Sequence, residues 1–212
     1  MVLNAWPRVL LVFPEHYADA AALLSRAFVA DPLALATAPE PREPEARARR
    51  LTGLFATALR IHRAAGQPVF GVFDGGRLVA AAVVEGTMHA PSSVTVFHGL
   101  ATLPTLIRAV GWAGMARSIK LVDTLARNHP PEPHLYLNIL GVEPAFQGRH
   151  GGVAILDYLR ELAAARTDVA GVYLETAKEA NVGYYMRNGY EVIGEFYPLG
   201  VRCWRMFQPR RA

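Results

Sequence analysis

Cysteine is almost missing from this 212-residue chain. Cys203 stands alone, which rules out an intramolecular disulfide and fits a reducing compartment. No apolar run reaches the roughly 18 residues that a membrane span needs. Pro7 and Arg8 interrupt the N-terminal stretch too early for a secretory leader. A cytoplasmic protein with no membrane partner is therefore expected. A dense basic cluster is missing as well. The net charge is +4 and the pI about 9.5, yet the Lys and Arg residues, nearly all arginine, are scattered along helical stretches without interleaved aromatics. That scatter argues against nucleic acid as a partner, and attraction for a polyanionic cofactor explains the charge equally well. A basic nucleic-acid-binding module stays as an alternative that salt-dependent binding to duplex DNA would reveal. The absence of Gly-Lys-Ser/Thr removes a P-loop, and the absence of Gly-x-Gly-x-x-Gly with a later acidic residue weakens a dinucleotide fold. No metal site is read from the sequence.

What is present is enough apolar material for a substantial core, 52% of all residues, and this suits one domain spanning 1–212. The most informative stretch runs from His134 to Leu159. A strand-length apolar run ends at Val142, Pro144 stops it, and Gln147-Gly-Arg-His-Gly-Gly152 follows. Ile155, Leu156, Leu159 and Leu162 then recur at helical spacing. A glycine-rich strand-to-helix junction is an anion site, because first-turn amides lack internal partners and glycine lets a phosphate approach the bare backbone.

Other elements can be placed around it. Val9–Phe13 reads as a first strand, Tyr17–Val29 as an amphipathic helix broken at Asp31-Pro32, and Glu45–Ala65 as a second helix after the prolines at 39–44. Residues 68–73 and 78–84 read as a hairpin turning at Asp74-Gly-Gly-Arg77. About 50 residues, 85–133, then precede the His134 strand, a long interval for a compact domain. Leu103–Trp112 and Met115–Asn128 read as two helices within it. Further on, Gly171–Thr176 is a strand, and a short helix through Asn181 and Tyr185 stops at Gly189 before another strand.

Val-x-Pro-x-x-Gln-Gly-Arg-x-Gly-Gly before an apolar helix, followed by Leu-Glu-Thr and Asn-x-x-x-Tyr-x-x-x-Gly-aromatic, resembles the GCN5-related N-acetyltransferase superfamily. One position departs from its signature: His150 stands where the first glycine is usual. A second register, Arg149 to Ala154, satisfies the consensus but begins two residues further from the strand, so the register of Gln147 and Gly152 is preferred. The resemblance implies a single α/β domain with a mixed central sheet of about six or seven strands. That sheet would be splayed at the acetyl-CoA strand, carry helices on both faces, and have a helical insertion at 85–133 between the third and fourth strands. Over the acceptor site, this insertion would determine substrate choice or dimerisation; helices that merely extend the core are the alternative. The implied cofactor is acetyl-CoA, and the implied acceptor is a small-molecule amine taken by a monomer or homodimer. Cofactor binding falls on Leu140, Gly141, Val142, Gln147, Gly148, Arg149, His150, Gly151, Gly152, Val153, Asn181 and Tyr185. Gly141 would mark the strand distortion that frees amides for the acetyl carbonyl, and Tyr185 would be the general acid.

The chemistry then needs a base for the ammonium, an oxyanion donor and an acid for the leaving thiolate, with no acyl-enzyme. His134, Tyr136 and Asn138 alternate on one strand face. Tyr136 occupies the position of the catalytic glutamate in histone-acetylating members and cannot be that base at neutral pH. Glu175 is the better carboxylate, since partial desolvation there would raise its pKa; a structural acceptor for nearby backbone is its alternative role. Glu85, His89 and His98 are further candidates. Cys203 is read as a packed residue rather than a nucleophile. Alternatives to small-amine acetylation are a non-catalytic acyl-CoA sensor and a protein N-terminal or lysine acetyltransferase.

Overall fold

The structure, a computed structural model, describes residues 7–39, 41–86 and 93–211, with side chains within 93–109 described only at 104, 107 and 108. His89 and the side chain of His98 lie outside the described residues. Seven strands form one mixed sheet in the order β1-β2-β3-β4-β5-β7-β6. In sequence they are β1 (Val9–Leu11), β2 (Val69–Asp74), β3 (Arg77–Glu85), β4 (Leu135–Val142), β5 (Gly171–Thr176), β6 (Glu191–Phe196) and β7 (Cys203–Pro209). All neighbours are antiparallel except β4 and β5. β1 is shorter than Val9–Phe13, because Phe13 is exposed and leads into the turn at Pro14. β2 and β3 close through Gly75 and Gly76, both at positive φ (54° and 81°), the backbone that a two-residue hairpin turn requires. β3 is buried on both faces from Leu78 to Val84, so it reads as a continuous apolar run rather than an alternation.

Two cores lie on opposite faces of this sheet. On one, α1 (Tyr17–Ala27) and α3 (Pro44–Ala64) bury Leu23, Leu24, Leu51, Phe55 and Leu59 against Leu78, Ala81 and Val83. On the other, α5 (Gly151–Ala164) sets Ile155, Leu156 and Leu159 against Leu135, Leu137, Val172 and Leu174, and Tyr185 of α6 (Glu179–Arg187) joins that cluster. The break expected at Asp31-Pro32 is also a helix start. Asp31 accepts hydrogen bonds from the amides of Leu33 (2.9 Å) and Ala34 (3.1 Å), and Pro32 opens α2 (Pro32–Thr37).

Within 85–133 the described residues form two helices, as expected, although their limits differ from 103–112 and 115–128. α4 (Ser93–Ala126) begins before Leu103, ends short of Asn128, and is broken into two at Gly111, whose φ of 70° and ψ of 172° leave the helical region. Gly114, three residues further on, stays helical. α4 packs on α3 and α2, which places it over the α1/α3 face of the sheet. Among the described residues, no helix is long and apolar enough to cross a membrane.

Candidate active site

β4 and β5 pair only at Leu135↔Val172 and Tyr136↔Tyr173. Beyond those pairs the parallel strands part, so among the described residues β4 from Asn138 to Val142 has an edge with no strand partner on the β5 side. Unpaired strand amides and carbonyls are strong hydrogen-bonding groups open to an extended ligand. The distortion expected at Gly141 lies earlier. Val83 pairs with Ile139 and Val84 with Leu137, so Asn138 is the extra residue of a bulge. The bulge resets the alternation: Leu137 faces α5, whereas Ile139, two residues on, joins the α1/α3 core. Gly141 has a different reason to be glycine. A Cβ there would meet Leu24 Cδ2 at 2.6 Å and Ala27 Cβ at 3.2 Å, so its absence lets α1 lie against the strand. Arg26 and Glu143 fix the same junction, with the guanidinium 2.6 Å from a carboxylate that is only 7% exposed.

A cleft of about 270 Å³ opens at this splay. Leu140, Gly141, Val142, Gln147, Gly148, Gly151, Asn181 and Tyr185 all line it, together with Ala27, Phe28, Asp31, Lys178 and Tyr184. The chain reaches α5 through left-handed residues: Gly148 has φ 78° and His150 φ 64°. The usual glycine at position 150 thus has a backbone reason, and His150 adopts the same conformation at a cost of roughly 1–2 kcal/mol. α5 begins directly after it, so first-turn amides border the cleft beside Gly151. Gln147 donates from Nε2 to the Val142 carbonyl at 3.4 Å, tying the loop to the strand end.

Four expected cofactor residues do not line this cleft. Arg149 stacks on Phe146 at 5.0 Å and borders a neighbouring depression. His150 and Val153 are also absent from the cleft wall. A Cβ at Gly152 would meet Tyr184 Oη at 2.7 Å, so this position faces a tyrosine rather than open space. Sequence reasoning missed Tyr184. Its only signal was its place beside Tyr185, one residue earlier on the same short helix.

Tyr185 keeps its proton: burial, with Tyr184 and Asp31 nearby, raises its pKa above the ordinary value. Glu175 lies on the other side of the splay. Tyr136, Tyr173 and Glu175 share the sheet face away from α5, and Arg205 of β7 is the cross-strand neighbour of Glu175. Burial pushes Glu175 up to about 7, opposed by the Tyr136 and Tyr173 hydroxyls and supported by the charge of Glu85. Glu85 pairs across the sheet with Tyr136, and its Oε1 accepts from Asn138 Nδ2 at 2.5 Å. Two carboxylates therefore flank Tyr136, and burial, reinforced by their charges, drives the Tyr136 pKa far above its ordinary value. The Cys203 thiol is buried and its pKa is also raised, so no thiolate nucleophile is supplied.

An open strand edge for an amide-bearing arm, a first helical turn for phosphates and a protonated tyrosine within the same cleft fit coenzyme A thioesters. Such a cleft suits an enzyme that acts with an acyl-CoA. The model of the Acetyltransferase (GNAT) family matches residues 31–190, more than half of the chain, and the chain belongs to that family. Its members use acetyl-CoA, and the protein is an N-acetyltransferase. Similar solved structures include a histone acetyltransferase HPA2 and related acetyltransferase from Corynebacterium glutamicum, with 22% identity and TM-score 0.72 over 98% of both chains. The polyamine N-acetyltransferase of Drosophila melanogaster is 16% identical at TM-score 0.58, covering 94% of this chain and 98% of that one. The ribosomal-protein-S18-alanine N-acetyltransferase of Escherichia coli is 14% identical at TM-score 0.53, covering 97% and 94%. At these identities the likeness is one of fold.

Proposed function

We propose that the protein acetylates a primary amine of a small molecule by direct attack on acetyl-CoA in a ternary complex. One observation carries this reading: Glu85 and Glu175 converge on Tyr136 at the apex of the splay, on the face covered by α3 and α4. A buried acidic lining attracts an ammonium, and the helical cover favours a slender amine over a folded protein surface. The polyamine acceptor of the Drosophila neighbour supports the same class of substrate.

The roles follow from position. Amides of the first turn of α5 bind the pyrophosphate, and the open edge of β4 with Asn181 holds the pantetheine arm. Backbone N–H groups at Leu140 to Val142 face the acetyl carbonyl, where they stabilise the developing oxyanion. Glu175 accepts the proton of the ammonium from the α4 side, and Tyr185 gives its proton to the departing thiolate from the α6 side. The acetyl group passes directly to nitrogen, so no enzyme nucleophile is required. Coenzyme A thiol release, measured with polyamines, aminoglycosides, aminonucleosides and N-terminal peptides, tests the proposal. Turnover with small primary amines is expected. Release with peptides alone would overturn the substrate class, and acetyl-CoA binding without release with any amine would make the protein a sensor.

A further inference from the structure

The segment between α4 and β4 brings two histidines against the proposed base, and their hydrogen bonds determine where their protons sit. His134 Nδ1 lies 2.7 Å from the Glu132 carbonyl oxygen, which only accepts, so Nδ1 carries the proton. His134 is 1% exposed and burial lowers its pKa, so the ring is neutral and its Nε2 is an acceptor. His129 Nδ1, 2.9 Å away, must then donate to it. His129 is neutral as well: burial, His134 and Arg205 lower its pKa to about 4. Its remaining nitrogen, Nε2, therefore bears a lone pair, and it lies 3.7 Å from Glu175 Oε1. That oxygen is buried and, among the described residues, has no hydrogen-bond partner.

We propose that His129 is a positioning residue for the base, whose Nε2 accepts a hydrogen bond from Glu175 once the carboxylate has taken the proton of the substrate ammonium. This rests on Glu175 being that base. In the ionised state two lone pairs face each other, and a gap of 3.7 Å is the spacing of a pair with no proton between them. When Glu175 is protonated, Oε1–H donates to Nε2 and the contact becomes a hydrogen bond. The ammonium N–H bond breaks with its electron pair left on nitrogen, the O–H bond forms on the carboxylate oxygen that faces the substrate, a half-turn of the carboxyl group carries that O–H to His129 Nε2, and later loss of the proton to water restores the carboxylate. The surrounding groups fit this assignment. The Tyr136 and Tyr173 hydroxyls both lie beside the carboxylate, and Tyr173 also donates to the Asn128 carbonyl at 3.2 Å. Glu85 on β3 disfavours a second negative charge, whereas Arg205 on β7 favours it; the neutral Cys203 thiol on the same strand adds no charge. Rings hold the imidazole in place, with Tyr136 at 4.4 Å and Tyr173 at 4.8 Å between centroids.

The test has two independent arms on the full chain. In nitrogen-15 NMR of histidine-labelled protein between pH 6 and 8.5, His129 should remain neutral with its proton on Nδ1. An imidazolium, or a proton on Nε2, would overturn the proposal whatever the catalytic outcome. Separately, His129→Leu removes the acceptor for the acid form, so the acid limb of kcat/KM should move to lower pH. Relative activity at the acid end should rise by roughly tenfold compared with the parent profile. An unmoved limb, or one displaced upward, refutes the role. Glu175→Gln distinguishes the underlying reading: full turnover with the parent acid limb would remove Glu175 as base, while the NMR arm would still report on the histidine chain by itself.

Discussion

Replacing Glu175 by glutamine should make the protein more stable relative to the parent as pH rises, even as it lowers turnover. Glutamine keeps the shape of the carboxyl and removes its charge. In the folded protein the Glu175 pKa is raised from the ordinary 4.5 to about 7, with desolvation as the largest cause. The native state therefore holds this proton more tightly than the unfolded chain does. Its contribution to stability is fully present below pH 4.5, falls as pH rises through the window from 4.5 to about 7, and is gone above it. That gap corresponds to about 3 kcal/mol between the two ends of the window. His129 acts in the opposite sense, since its lowered pKa makes stability fall as pH drops from 6.5 toward about 4. Both proteins carry His129, so the difference between them reads Glu175 together with its contact to His129. Urea or thermal denaturation of parent and Glu175→Gln at pH 4.5 and 8.5 reads the difference directly. The mutant should gain about 3 kcal/mol on the parent between these pH values, a relative rise of roughly 6–12 °C in Tm for a domain of this size. A stability difference that does not change with pH would show that Glu175 titrates like an exposed carboxylate, and the base assignment would lose its physical support.

Tyr185→Phe should lower turnover by about 100-fold with acetyl-CoA affinity nearly unchanged, because the hydroxyl acts only as the C–S bond breaks. Steady-state thiol release beside calorimetric binding checks this, and a mutant impaired only in binding would make Tyr185 a packing residue. Gly152→Ala should cost roughly 1–3 kcal/mol in urea denaturation, since its Cβ meets Tyr184 Oη at 2.7 Å. Gly151→Ala meets only Ala80 Cβ at 3.5 Å and should be milder; equal effects would refute the packing of Tyr184 on the helix start. Acetyl-CoA should raise Tm with a gain that grows with its concentration, worth about 2.7 kcal/mol at a hundredfold excess over Kd. No shift at millimolar ligand would contradict the cleft as its site.

The sequence by itself determined the order of elements and the cofactor loop, because both rest on local rules. Pro144 must end a strand, glycines must open the approach to α5, and apolar residues spaced as Ile155, Leu156 and Leu159 must face a sheet. Gly75-Gly76 likewise dictates a tight hairpin. Where helices stop is less local. Asp31-Pro32 is both a break and a start, and only the capping bonds to Leu33 and Ala34 reveal the second role. Tertiary structure decided the rest. Whether Asn138 or Gly141 forms the bulge depends on how β3 registers against β4, and no period within β4 records that. Gly141 is glycine because of Leu24 and Ala27, more than a hundred residues away in sequence. Glu175 stood out as a carboxylate at a strand end, yet its raised pKa comes from burial among Tyr136, Tyr173 and Glu85 on three strands. His129, at the foot of α4, carried no motif at all. It meets Glu175 only because α4 returns the chain to the sheet there, and a contact between residues 46 positions apart is a property of packing rather than of any stretch of sequence.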